Sequence, residues 1–197
     1  MKPNPDCLYE VAEGQRGYFT TPQARGCGYS WSLLSHHVGS GRLVRARRGL
    51  YRFRQYPSWP REEVLAAWLA AGSGAVVSHE SALDLLDLAD IIPDAIHLTI
   101  PRSRRGWRPP GDVTLHTTQE GFGTGETVER DGIRVTSPTR TILDVAEAGM
   151  SPDQVSRAIR QAVERGLVTR SQLRERGRER GRRVESLVAG ALGALPA

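Results

Sequence analysis

Between residues 30 and 48 the chain gathers the side chain types that nucleic acids recognise. Ser30, Trp31, Ser32, Ser35 and His36 bring hydroxyl, indole and imidazole groups suited to base edges, and Arg42, Arg45, Arg47 and Arg48 bring guanidinium groups suited to phosphate. Trp31 has two readings: an exposed ring touching a thymine methyl, or a ring packed against the preceding helix. Catalytic chemistry has weaker support. Lys2 is the only lysine, so the fold's interior offers no Schiff-base, phosphate-loop or nuclease lysine. The five histidines, His36, His37, His79, His97 and His116, show no metal-motif spacing with cysteine or carboxylate, and are expected to be structural or exposed. Ser78 and His79 are neighbours in sequence, which on a helix sends their side chains about 100° apart. The glycine-rich EGFGTGE, residues 120–126, lacks the following helix that a phosphate cradle requires and is expected to be a loop. No catalytic residue, metal ligand or cofactor is expected.

The elements that must position the candidate residues are legible nearby. Thr20 and Thr21 precede Pro22, and Gln23 completes a capping box, so a helix opens there; Gly26 and Gly28 end it. Ser30 caps a second helix in which Leu33, Leu34, His37 and Val38 form the packing face, leaving Ser32, Ser35, His36 and Gly39 outward. Alternation then takes over. Leu43, Arg45 and Arg47 point one way, Val44 and Ala46 the other, until Arg48-Gly49 turns the chain into Leu50-Tyr51-Arg52-Phe53. Residues 5–13 form an earlier helix, and Tyr18-Phe19-Thr20 a short strand pairing with the hairpin. Helix, turn, helix and basic hairpin make a winged helix-turn-helix, whose second helix suits a major groove about 12 Å wide.

A proline-rich link, QYPSWP at 55–60, is expected to separate a DNA-binding domain, 1–56, from an α+β effector domain, 57–197. The second begins with a core helix carrying Val64, Leu65, Trp68 and Leu69. Ser78 is placed to cap a further helix. Ile96, Leu98 and Ile100 alternate, Val113 to His116 make a partner strand, and Asp131-Gly132 turns a hairpin, which together predict a small antiparallel sheet. Helices follow from Ser137-Pro138 and from Ser151-Pro152. In the latter Val155, Ala158, Ile159, Ala162 and Val163 fit one helical face completely. The fold class is α+β, a winged helix followed by a mixed domain.

Charge supports this division. Residues 1–56 hold nine basic and three acidic residues, 57–169 eleven and sixteen, and 170–197 seven and three, within a net charge of +5. A polyanion is drawn to the ends and repelled by the middle. Arg102, Arg104, Arg105 and Arg108 read as a solvated turn or a second nucleic-acid contact, with the turn favoured; Arg174 to Arg183 read as an exposed charged helix or frayed loop. No apolar stretch reaches membrane-spanning length and the N-terminus has no signal-peptide core, so a reducing cytoplasm is expected, with Cys7 and Cys27 buried and unbonded.

The run GYSWSLLSHHVGSGRLVRARRGLYRF resembles the N-terminal winged-helix domain of AbiEi-type antitoxins of type IV toxin–antitoxin systems, and SHESALDLLDL, IHLTIPRSRRG and GIRVTSPTRTILDVAEAG resemble their C-terminal domain. One departure is His37, where relatives more often have an aliphatic residue. The resemblance implies an autorepressor that binds inverted repeats of double-stranded DNA in its own promoter. It also implies functional pairing with a nucleotidyltransferase-like toxin without a stable complex. The alternatives are a stand-alone winged-helix regulator, a protein-interaction module, and a remnant of a nuclease-fused relative.

Overall fold

The computed structural model describes residues 2–119 and 121–196, which divide into two compact units, Met1–Ser73 and Gly74–Ala197. In the first, the Asn4 side chain accepts the Asp6 and Cys7 amides and starts α1 (Pro5–Glu13). β1 (Tyr18–Thr20) leads to α2 (Thr21–Gly26), where the expected capping box forms: Thr20 Oγ1 accepts the Gln23 amide and Gln23 Oε1 accepts the Thr20 amide at 2.7 Å. Gly28 turns the chain at φ +85° against the Lys2 carbonyl, where a β-carbon would collide with backbone. Ser30 then caps α3 (Trp31–Gly39), its hydroxyl accepting the Leu33 amide at 3.2 Å. β2 (Leu43–Arg47) and β3 (Leu50–Phe53) form the hairpin, and β1 joins it in the order β1-β3-β2, antiparallel throughout.

Leu8 and Ala12 of α1, Phe19 of β1, Leu34 of α3, Leu43 of β2 and Tyr51 of β3 meet in one core. Each fully buried Leu or Phe contributes roughly 1.5–3 kcal/mol. Strand alternation puts Leu50 and Arg52 on the face opposite Phe19 and Tyr51. α4 (Glu62–Ala71) packs on all three strands, with Glu62 3.5 Å from Arg52 and Glu63 3.3 Å from Arg47. The unit therefore runs on to Ser73, past the boundary expected at 56. The prolines at 57 and 60 interrupt secondary structure without interrupting packing.

Cys7 and Cys27, expected reduced, form a disulfide with α-carbons 5.7 Å apart. The capped start of α1 and the end of α2 meet in the same core, and that proximity was not readable from two isolated cysteines. Closing a loop of this length contributes about 3 kcal/mol through the unfolded state.

The second unit is built on β4 (Val76–Val77), β5 (Ile96–Pro101), β6 (Val113–Thr118), β7 (Thr127–Arg130) and β8 (Ile133–Thr136), in the order β6-β5-β4-β8-β7. The sheet is mixed where an antiparallel one was expected: β5 pairs β6 and β4 pairs β8 in parallel, while β4–β5 and the β7–β8 hairpin at Asp131-Gly132 are antiparallel. The connection from Arg102 to Asp112, with a short 3₁₀ turn at Arg102–Arg104, is long enough to carry the chain back before β6 begins. Among the described residues five helices complete the unit: α5 (His79–Leu85), α6 (Pro138–Ala148), α7 (Pro152–Glu164), α8 (Arg170–Glu179) and α9 (Arg182–Gly193). α6 and α7 carry the predicted Ser137 and Ser151 caps. Ser78 does not cap α5; its hydroxyl accepts from Thr99 at 2.8 Å instead.

The charged stretch after Thr169 folds into α8 and the start of α9. Arg180 pairs with Asp144 at 3.0 Å and with Glu147, and Arg183 donates to the carbonyls of Ala146 and Glu147 at the end of α6. Arg140 binds Asp144 and Glu126, each at 2.8 Å. No helix among the described residues is long and apolar enough to cross a membrane.

Candidate nucleic-acid interface

α3 is two-sided in the way its sequence predicts. Leu34 is fully buried and Leu33, His37 and Val38 are half-buried, while Ser30, Trp31, Ser32, Ser35 and His36 are exposed. Trp31, left open between two readings, is 57% exposed and so presents its indole outward. The Ser30 and Ser32 hydroxyls lie 2.9 Å apart at the helix N-terminus, where amide hydrogens and small donors project together. His37 faces the Tyr29 ring at 6.0 Å, and its Nδ1 is buried without a hydrogen-bond partner among the described residues. Burial, then the charges of Arg42 and His36, holds its imidazole below the ordinary histidine value.

The hairpin follows directly from α3, whose last carbonyls accept the amides of Ser40, Gly41 and Arg42. Its tip is fixed: the Gly49 carbonyl accepts the Thr21 amide at 2.8 Å and the Thr21 hydroxyl at 3.2 Å, tying the turn to the first residue of α2. Arg42, Arg45 and Arg48 are exposed. Arg47 is not: its side chain is 10% exposed and pairs with Glu63. A register shift between Arg45 and Arg47, with Arg45 opposite Tyr51 and Arg47 opposite Leu50, inserts one residue into β2. That bulge ends the alternation on which Arg45 and Arg47 shared a face. Arg47 thus belongs to the packing of α4 on the sheet.

Arg25, exposed in the last turn of α2, was not singled out from the sequence. Its signal was its place in the first helix of a helix-turn-helix, which crosses the phosphate backbone. In the second unit Arg102, Arg105 and Arg108 are exposed around the 3₁₀ turn, as a solvated loop would have them. Of the 120–126 segment, Glu120 lies outside the described residues. In the remainder Glu126 accepts the Gly123 amide at 2.8 Å and Phe122 lies beneath Arg134 and Arg140, so that amide is engaged by a carboxylate.

Histidines expected to play separate roles do not stay apart. His79, His97 and His116 come together in the second unit from α5, β5 and β6. They are 18 and 19 residues apart in sequence, so no local spacing announces them. The available signal was that His97 and His116 take the positions between the apolar residues of two strands, which puts them on the same face once those strands pair. Burial, reinforced by neighbouring imidazoles, pushes His79 down to about 3 and His116 to about 4.

Residues 8–54 match the family model described as transcriptional regulator, AbiEi antitoxin. No curated protein matches the sequence. The RV2827C protein from Mycobacterium tuberculosis has a similar crystal structure: the TM-score is 0.62 at 17% identity, covering 94% of this chain and 74% of that one. At that identity the likeness speaks to the fold alone, and it extends through both units. The capped α2, the two-sided α3 and the arginine hairpin all lie within residues 8–54, the stretch that is similar to the AbiEi antitoxin family of transcriptional regulators.

Proposed function

We propose that the chain is a sequence-specific DNA-binding autorepressor and the antitoxin of a type IV toxin–antitoxin system. The observation that carries the DNA reading is the sidedness of α3, where Ser32, Ser35 and His36 are exposed over a Leu34 that is fully buried. In this reading those three side chains meet base edges in the major groove, with Ser30 and Trp31 at the helix entry. Arg42, Arg45 and Arg48 meet phosphates, and Arg25 joins them from α2. Arg47 holds the hairpin to its scaffold. One small module buries roughly 600–1,000 Å² on DNA, so an inverted repeat read by two copies fits tight promoter binding. The second unit is the antitoxin domain, paired in function with a nucleotidyltransferase-like toxin without a stable complex.

Fluorescence anisotropy with the fragment upstream of the chain's own reading frame, against a scrambled duplex at matched salt, tests the reading. The promoter fragment is expected to bind at least tenfold tighter. Equal affinity for the two duplexes would reject sequence-specific repression. Co-expression with a neighbouring nucleotidyltransferase-like gene tests the second part: growth is rescued by the whole chain, with no complex recovered on purification.

A further inference from the structure

β5 and β6 run parallel with His97 opposite Thr114 and Thr99 opposite His116, so alternation puts His97, Thr99 and His116 on one face of the sheet. His79, the first residue of α5, reaches the same place. Its ring stacks on His116 with centroids 3.5 Å apart, and the neighbouring Ser78 hydroxyl accepts from Thr99 at 2.8 Å. One ring nitrogen from each histidine lies within 4.8 Å of the other two, and His97 Nδ1 is 3.0 Å from His116 Nε2.

Outer partners select which nitrogens face inward. The Glu80 carboxylate lies 2.6 Å from His97 Nε2 and accepts its N–H, leaving a lone pair on Nδ1 toward the cluster. Ser78 Oγ stands 3.0 Å from His79 Nδ1, leaving that ring's other nitrogen for the cluster. A carboxylate behind an imidazole is the arrangement that orients histidine ligands. The backbone adds an independent sign: His79 is held at φ +53°, a conformation that residues with a β-carbon seldom adopt and that concentrates at ligand-holding sites.

We propose that His79, His97 and His116 bind one divalent ion of the zinc class, with Glu80 and Ser78 orienting the rings. Imidazole nitrogen suits Zn²⁺ and Co²⁺, whereas Mg²⁺ and Ca²⁺ take oxygen. Nitrogen lone pairs at 3.0 Å repel unless a proton or a cation lies between them; a proton joins one pair, and an ion joins all three rings once His79 and His116 turn out of their stack, because imidazole binds through a lone pair in its own plane. Three protein ligands leave a fourth position for water or a substrate oxygen, and His97 and His116 are half-buried. The site lies wholly within the second unit and stands whether or not the first binds DNA.

The full chain, stripped with chelator, is titrated with Co²⁺ under visible absorption and then with Zn²⁺. One Co²⁺ per chain is expected, with ligand-field bands bleached by one equivalent of Zn²⁺. His97→Ala and His116→Ala are each expected to weaken binding about a hundredfold or more while keeping the wild-type circular dichroism, and Glu80→Gln ten- to a hundredfold. The paired variant His36→Ala with His37→Ala leaves binding unchanged. No stoichiometric binding, or binding lost only in the His36 and His37 variant, overturns the site. If the cluster variants do not fold, imidazole nitrogen NMR of the wild-type chain decides. Zn²⁺-induced shifts at His79, His97 and His116 uphold the proposal, and unchanged resonances overturn it.

Discussion

Arginine is nearly the only cation in this chain, yet the two units use it in opposite ways. In the hairpin of the first unit Arg42, Arg45 and Arg48 are exposed. In the second, Arg140, Arg180 and Arg183 are taken up by Asp144, Glu126, Glu147 and the terminal carbonyls of α6. Residue type and local density are much the same in both stretches; the difference is whether an acceptor stands behind the guanidinium. Arg47 makes the point within the hairpin, since Glu63 and a one-residue bulge turn it from ligand contact into scaffold. A run of arginines therefore gains a functional reading only after its carboxylates have been located.

The sharpest way to break this comparison is to remove a carboxylate from the second unit. Asp144 is 6% exposed and holds both Arg140 and Arg180, so Asp144→Ala is expected to cost about 1.5–3 kcal/mol by taking from each guanidinium one of its two carboxylates, Glu126 and Glu147 remaining. Urea unfolding measures this, and DNA affinity extrapolated to the folded state should not change. The converse test removes Arg42, Arg45 and Arg48 together. Affinity for all duplexes should fall about a hundredfold and the salt slope by about three, one for each arginine, while Arg47→Ala lowers stability and leaves the slope unchanged. An unaltered slope in the triple variant would reject the hairpin as a phosphate contact.

Replacing Ser32, Ser35 and His36 with alanine should act on discrimination. Each lost base contact removes about 1–3 kcal/mol between promoter and scrambled DNA, read by anisotropy, with the salt slope preserved. The smallest effect concerns His37. Its folded-state value lies below the ordinary 6.5, so the unfolded chain takes up the proton first as pH falls through that value. Stability of the first unit is therefore complete above pH 6.5 and declines as pH falls toward the folded-state value. His37→Leu should flatten this dependence and add about 1 kcal/mol by removing a buried nitrogen without a partner. NMR-detected urea unfolding of α3 at pH 5 and pH 8 checks both.

What the sequence reveals follows the reach of each physical signal. The capping box at Thr20, the serine caps of α3, α6 and α7 and the apolar face of α7 are settled within four or five residues, and they are present as read. The sidedness of α3 was legible for the same reason. Strand direction between β5 and β6, the Cys7–Cys27 bond, the attachment of α4 to the first sheet and the meeting of His79, His97 and His116 all depend on chain segments far apart in sequence. The placing of Arg47 against Glu63 is of a different kind. Alternation is a sound rule until one inserted residue resets it, and nothing in LVRARRG marks where that happens.

The pinning of Gly49 to Thr21 bears on how the hairpin would meet a duplex. A ribbon anchored at its tip to α2, and at its base to the end of α3, has little freedom left to surrender on docking. Its guanidinium groups ride on a preorganised frame, so the entropic cost of association falls on side chains and solvent rather than on backbone. Thr21→Val removes the hydroxyl bond and keeps the amide one, and it would show in the temperature dependence of binding how much of that economy comes from a single hydrogen bond.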